Sequence, residues 1–324
     1  MSQLPLPRKI ACPRFLCVSA DSYWQISPCR SDKHARPRLS TSTAPPRPRL
    51  SFLRHLTFSR NMSSVFNASR LLGKTVLITG ASAGIGAGGS NLILLARRAD
   101  ALKTVAEAAA AAHKESGLQQ GGKIATIQLD VSDKAQVAAL WDKIPQDLRK
   151  VDILVNNAGF VRGVDRIGNV LDSDVESMFA TNVLGLFSIT QLLIKDFKAQ
   201  NSGHIINLGS IAGREPYAGG SVYCATKHAL RAFSGALLRE LVDTPIRVTE
   251  IQPGMVETEF SIIRFRGDKT AADKVYEGLQ PLTAEDIAEE IVWAAARPPH
   301  VNIAELFVLP TNQASPTLAH RGGK

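Results

Sequence analysis

From Lys74 onward, apolar runs of strand length alternate with longer stretches of helical periodicity. That alternation leaves few folds open. Strands joined through helices run parallel, and a parallel sheet needs helices on its faces. The runs Thr75–Thr79, Asn91–Ala96, Lys123–Leu129, Asp152–Asn156, His204–Leu208, Arg247–Ile251 and Ala304–Leu309 predict strands. Helices are expected at Ala99–Ser116, Lys134–Lys143, Asp172–Lys198, Ser221–Val242 and Ala284–Ala296, the last begun by a box-like Thr283/Asp286 pair. The pattern predicts an α/β, doubly wound parallel sheet in a single domain over residues 62–324.

Residues 1–61 differ in kind. They are rich in Arg, Ser and Pro, and Pro45-Pro46-Arg47-Pro48 excludes a helix interior there. Residues 1–70 hold 12 Lys or Arg against Asp21 and Asp32, so they account for the basic balance of a chain with net charge +9. The remainder is close to neutral, and nucleic acid is not an expected partner. The segment reads as disordered or as a mitochondrial targeting sequence, with Ser51–Arg60 as its amphipathic piece. A start at Met62 is the alternative; a cytoplasmic protein is expected, or a mitochondrial one if residues 1–61 are a genuine presequence. No apolar run reaches membrane-spanning length. Cys12, Cys17 and Cys29 lie in the tail and Cys224 alone in the body, with no metal-ligand spacing; a reducing compartment is the simplest reading.

Thr79-Gly80-Ala81-Ser82-Ala83-Gly84-Ile85-Gly86 directly follows the first strand. Gly80 permits a tight turn, Gly84 lets backbone approach a pyrophosphate, and Gly86 allows close packing of the next element. Gly80, Ser82, Ala83, Gly84, Ile85 and Gly86 therefore make a candidate dinucleotide loop, the mark of a Rossmann-type sheet. The second strand ends in Arg97-Arg98, where an NAD binder would carry an acid. Two guanidinium groups there suit a 2′-phosphate and hence NADP. Asp130-Val131 ends the third strand, within reach of an adenine edge. Asn156-Asn157-Ala158-Gly159 ends the fourth, with small residues leaving room for a ribose.

The first crossover is short. Only Ala87-Gly88-Gly89-Ser90 separate Gly86 from the second strand, so 11 residues join the two strands. A parallel crossover usually takes a dozen or more, including a helix. Eleven residues reach about 36 Å when extended, so the return is geometrically possible without one. The first crossover helix is expected to be missing, through a gene-model artefact or in a genuine isoform with weakened cofactor binding.

Tyr223 and Lys227 are four apart on a predicted helix, hence on one face. A phenol is a poor base at neutral pH, and a neighbouring ammonium is expected to pull its pKa down. Lys227 is also placed to hydrogen-bond a nicotinamide ribose. Ser210, after the fifth strand, can hold a substrate oxygen. Asn182, mid-helix, predicts a local kink and a water site.

These motifs occur in the order found in the classical short-chain dehydrogenases, which the chain resembles from about Gly73 to Pro316. Within them it looks like the NADP-dependent 3-hydroxy acid dehydrogenases, including serine and allo-threonine dehydrogenases. The finer match lies in Gly209–Arg214, Val256-Glu257-Thr258-Glu259-Phe260-Ser261, Arg264-Phe265-Arg266-Gly267 and Pro310-Thr311-Asn312-Gln313-Ala314-Ser315-Pro316. The resemblance implies a catalytic tetrad of Asn182, Ser210, Tyr223 and Lys227. It implies a nicotinamide cradle at Pro253–Thr258, with Pro253, Gly254, Val256 and Thr258 touching cofactor, and a loop from Phe260 to Gln280 that closes over substrate. It also implies a homotetramer, joined in part through the helices at Asp172–Lys198 and Ser221–Val242. The implied reaction interconverts a short 3-hydroxy acid and its 3-oxo form. Arg214, Arg264 and Arg266 are the candidates for its carboxylate, though each taken singly reads more readily as a solvated surface arginine. A broader carbonyl reductase of the same family, or an impaired isoform serving as a binding or oligomer subunit, are the other readings.

Overall fold

A computed structural model of the protein describes residues 67–81, 90–115 and 122–322. Its centre is a parallel sheet of seven strands: β1 Thr75–Thr79, β2 Asn91–Ala96, β3 Ile124–Gln128, β4 Ile153–Asn156, β5 Gly203–Leu208, β6 Ile246–Pro253 and β7 Glu305–Val308. Their spatial order is β3-β2-β1-β4-β5-β6-β7. Order reverses between β1 and β4, and a crevice opens there at the carboxyl ends of the strands.

Strands covered on both faces read as continuous apolar runs, and β1 and β4 are buried throughout. Successive side chains alternate between two cores. Leu77, Ile93, Leu154, Ile205 and Val248 face one layer, built from α2 (Lys134–Ala138), α3 (Leu140–Lys143), α5 (Leu186–Ala199) and α6 (Ser221–Glu240). Val76, Ile78, Leu92, Leu94, Val155 and Ile251 face the other, built from α1 (Ala99–Glu115) and α9 (Ala284–Ala295). Full burial of one Leu or Ile side chain contributes about 1.5–3 kcal/mol, so these two layers dominate the stability of the sheet.

Two expected helices and one expected loop differ in detail. The stretch Lys134–Lys143 breaks at Ala139 into α2 and α3. The long helix from Asp172 begins as α4 (Asp172–Phe179) and reaches α5 through a π-helical segment, Ala180–Gly185. This is the kink that Asn182 signalled. Gly185 belongs to it for a steric reason: a Cβ there would stand 2.7 Å from the Val131 carbonyl oxygen. The whole stretch Asp172–Ala199 has the length and composition of a membrane span, but Leu186, Ile189, Leu193 and Phe197 are buried against the sheet. The expected loop after Phe260 instead holds two short helices, α7 (Glu259–Arg264) and α8 (Lys269–Lys274), started by the side-chain caps of Thr258 and Asp268.

The Thr283/Asp286 pair forms the reciprocal box expected of it, with Thr283 Oγ1 accepting the Asp286 N–H at 3.2 Å and Asp286 Oδ2 accepting the Thr283 N–H at 2.8 Å. β1 and β2 pair in parallel from Thr75↔Asn91 to Thr79↔Leu95 despite their short connection. Its ends are fixed: the Ala81 N–H donates to the Leu95 carbonyl at 3.0 Å, and Ser90 Oγ to the Leu71 carbonyl at 3.0 Å. Residues 82–89, on which the expected absence of a crossover helix turns, lie outside the described residues.

Candidate active site

The carboxyl ends of β1 and β4 are stitched together. Thr79 Oγ1 accepts the backbone N–H groups of Asn157 and Ala158, both at 3.1 Å. Asn157 Nδ2 returns bonds to the carbonyls of Thr79 at 3.0 Å and Gly80 at 2.9 Å. Gly80 has φ +62°, and a Cβ on it would stand 2.7 Å from the Ala158 Cα, so only glycine turns here. Asn156 points the other way and donates to Thr190 Oγ1 and Asn207 Oδ1.

A cavity of about 650 Å³ opens along these strand ends, within the size range of small-molecule sites. Gly80, Arg97, Arg98, Asp130, Val131, Asn157, Ala158 and Gly159 line one part of it. Ser210, Tyr223, Lys227, Pro253, Gly254, Val256 and Thr258 line another. The structure thus brings together the sequence-derived cofactor and chemistry residues in one space. Ser82, Ala83, Gly84, Ile85 and Gly86 lie outside the described residues. Asp130 turns one carboxylate oxygen to the N–H and hydroxyl of Ser132. Arg98 pairs with Glu259 on α7 at 2.9 Å, an exposed contact, whereas Arg97 pairs with no carboxylate among the described residues. The site fits a dinucleotide phosphate on two observations: glycine-only backbone at Gly80, and the two guanidinium groups at the end of β2.

Tyr223 and Lys227 sit on α6 at 7% and 6% exposure. Lys227 Nζ lies 5.8 Å from the Tyr223 ring centroid and donates to the Leu208 carbonyl at 2.7 Å. The expectation that Lys227 lowers the phenol's pKa is corrected here. Burial pushes Tyr223 well above its usual value, and the main force pulling it back is a hydrogen bond with Ser210. Lys227 is not among the influences on that balance; burial lowers its own pKa to about 8, partly offset by Glu250. Ser210 also caps the short 3₁₀ turn Ile211–Gly213 by accepting the Ala212 N–H at 3.1 Å, which fixes its rotamer.

Asn182 does not reach the cavity with its side chain. Its Oδ1 accepts the Phe160 N–H, and its Nδ2 donates to the Phe160 carbonyl and Thr226 Oγ1. It braces the turn after Gly159 rather than facing Tyr223. Arg214 also lies away from the expected place. It pairs with Gln252 Oε1 and with Glu305 at 2.9 Å, and stacks over Phe307 on the β7 edge.

Several residues around the site were given no individual role in the sequence. Phe260 and Ile263, on α7, cover the Tyr223 end, and the Phe260 and Tyr223 rings meet edge-on with centroids 5.7 Å apart. Gln313 is buried and accepts the Met255 N–H at 2.8 Å, which holds the Pro253–Met255 turn. Tyr276 donates to the Val256 carbonyl at 2.8 Å and shares a 2.5 Å bond with Ser261, closing the segment over that turn.

Comparison with known proteins agrees with this geometry. Residues 74–267 match the family model described as short chain dehydrogenase. The chain is 43% identical over 262 residues to an NADP-dependent 3-hydroxy acid dehydrogenase of Schizosaccharomyces pombe, covering 78% of this chain and 98% of that one. It is 39% identical over 248 residues to a serine 3-dehydrogenase of Agrobacterium fabrum, covering 74% and 95%. A solved closed form of serine dehydrogenase complexed with NADP+ superposes with a TM-score of 0.68 at 38% identity, over 76% of this chain and 100% of that one. With these relatives and a seven-stranded parallel sheet, the chain belongs to the short-chain dehydrogenase family and is an oxidoreductase acting on CH–OH groups.

Proposed function

We propose that the protein interconverts a short 3-hydroxy acid and its 3-oxo form with NADP as the redox partner. The observation that carries this reading is one cavity lined both by Arg97 and Arg98 and by Ser210, Tyr223 and Lys227. The NADP dependence of the relatives supports it. Gly80, Asp130, Val131, Asn157, Ala158 and Gly159 would seat the adenosine half, and Pro253, Gly254, Val256 and Thr258 the nicotinamide half.

NADP, when bound, supplies the acceptor or donor of a hydride. The protein's own part is proton handling and orientation. Ser210 holds the substrate oxygen, and Tyr223 Oη takes its proton as the C–H bond breaks, or returns it in the reverse direction. Burial favours the protonated phenol, so Tyr223 is set to give its proton in the reductive direction; the oxidative direction needs the phenolate, which a cation brought beside it would favour. Asn182 supports the site by bracing Phe160. A homotetramer goes with this reading, and Leu184 is exposed beside α5.

Titration of the full chain with NADPH and NADH, followed by turnover of serine, allo-threonine and 3-hydroxybutyrate, tests the proposal. Tighter binding of NADPH and turnover of a hydroxy acid are expected. Equal affinity for the two cofactors overturns the role of Arg97 and Arg98. The 11-residue connection between β1 and β2 favours one second reading, an impaired subunit. Absence of binding at millimolar NADPH would establish that reading instead.

A further inference from the structure

We propose that Arg264 receives the substrate's carboxylate, and that this contact sets a preference for hydroxy acids over neutral hydroxy compounds. The inference rests on the hydroxy-acid reading above and adds the residue that would enforce it.

A carboxylate held beside a buried phenol needs a cation, because an unpaired charge out of water is costly. The arginines around the chemistry end differ in what they already hold. Arg214 is engaged by Glu305 and Gln252. Arg266 donates to the buried Asp174 at 2.6 Å and also contacts Asp165, and Arg162 shares Asp174. Arg264 pairs with no carboxylate and donates no hydrogen bond among the described residues, and its Nε is shut away from solvent without a partner. With its Nε covered by protein, an arginine that has no anionic partner among the described residues can take one only through its terminal nitrogens.

Position points the same way. Arg264 follows Phe260 by one helical turn on α7, so the two share a face. Phe260 is the residue whose ring meets Tyr223, and Ile263 lines the same cavity as Ser210 and Tyr223; Arg264 adjoins this lining without being part of it. The Arg264 guanidinium lies over the rings of Tyr217, at 5.3 Å from its centroid, and Phe265, at 5.8 Å. Stacking fixes the plane of the group, and its two terminal nitrogens have the geometry for a bidentate grip on a carboxylate. Its charge is felt at the Tyr223 phenol, where it favours the ionised form. The backbone carbonyl of Arg264 takes the Gly163 N–H at 2.9 Å, which anchors this end of α7.

The test is a ratio: kcat/KM for 3-hydroxybutyrate over kcat/KM for its methyl ester, with NADP and the full chain. Any effect of Arg264 on Tyr223 enters both terms and cancels. The wild type is expected to favour the acid strongly. Arg264→Leu is expected to cut the ratio about 100-fold, the usual scale for losing one partner of a desolvated ion pair, with NADPH binding within about twofold. Should the Leu variant fail to fold, Arg264→Gln, closer in length, carries the same readout. A wild type that favours the acid with a variant that keeps the ratio overturns Arg264 and leaves the hydroxy-acid reading intact. A wild type that turns over ester and acid alike overturns both.

Discussion

The amide of Asn182 is bonded to both backbone groups of Phe160: Oδ1 accepts its N–H at 3.0 Å, and Nδ2 donates to its carbonyl at 2.8 Å. The π-helical segment places the amide where a regular helix would carry it past. Asn182→Ala leaves a buried N–H, a carbonyl and the Thr226 hydroxyl short of a partner. Each such loss costs about 1–3 kcal/mol before relaxation. We expect a clear drop in the unfolding midpoint by calorimetry, with turnover falling because the Gly159–Phe160 turn loosens. A variant of unchanged stability would show that Asn182 is not a brace.

Tyr223→Phe removes one oxygen from a ring held by Phe260 and the surrounding apolar cluster. The ring packing survives, so NADPH binding measured by fluorescence is expected to stay within about threefold. Turnover is expected to fall by at least about 100-fold, the lower bound of a general acid–base contribution. Retained turnover would take Tyr223 out of the chemistry.

Much of this was legible in the sequence, for physical reasons. A buried parallel strand must be apolar on both faces, so β1, β2 and β4 stand out as runs. Helix caps are local, so Thr283 and Asp286 announce themselves. Tyr223 and Lys227 share a face through helical spacing alone. What escaped depends on tertiary partners. Glu250 reads as an ordinary polar residue in β6, and nothing local shows that its carboxylate lies against Gly209. Arg214, Arg264 and Arg266 are equivalent as letters; Glu305 and Asp174, distant in sequence, distinguish them. Burial of Tyr223 is likewise a property of packing, which is why the expected effect of Lys227 on its pKa gave the wrong sign to the balance.

Glu250 is 1% exposed, and burial, ahead of every other influence, raises its pKa from 4.5 to about 7. A carboxyl raised on folding binds more protons in the folded state than in the unfolded one between those two values. Its contribution to stability is therefore greatest at low pH, falls as pH rises from about 4.5, and is fully lost above about 7. Glu250→Gln keeps the shape and removes the titration. The variant is expected to exceed the wild type in stability by about 1–3 kcal/mol near pH 8, with the gap closing toward pH 5. Urea melts across that range check it. A gap that does not change with pH means Glu250 keeps one protonation state throughout.

Arg98 and Glu259 form a 2.9 Å ion pair at the mouth of the cavity, and both side chains are more than half exposed. Exposed pairs contribute little to stability, so this one is free to exchange partners. A 2′-phosphate would compete for Arg98 and would also feel the Glu259 carboxylate as a like charge. Glu259→Gln is therefore expected to tighten NADPH binding a few-fold and leave NADH unchanged. Arg98→Ala is expected to weaken NADPH by about tenfold or more, again sparing NADH, since a charge-assisted phosphate contact contributes roughly twice a neutral one. Both effects should shrink with added salt, because the groups are open to solvent. The two variants must move NADPH affinity in opposite directions. If Glu259→Gln weakens it instead, the pair is holding Arg98 in place for the phosphate, and its removal costs more orientation than it gains in charge.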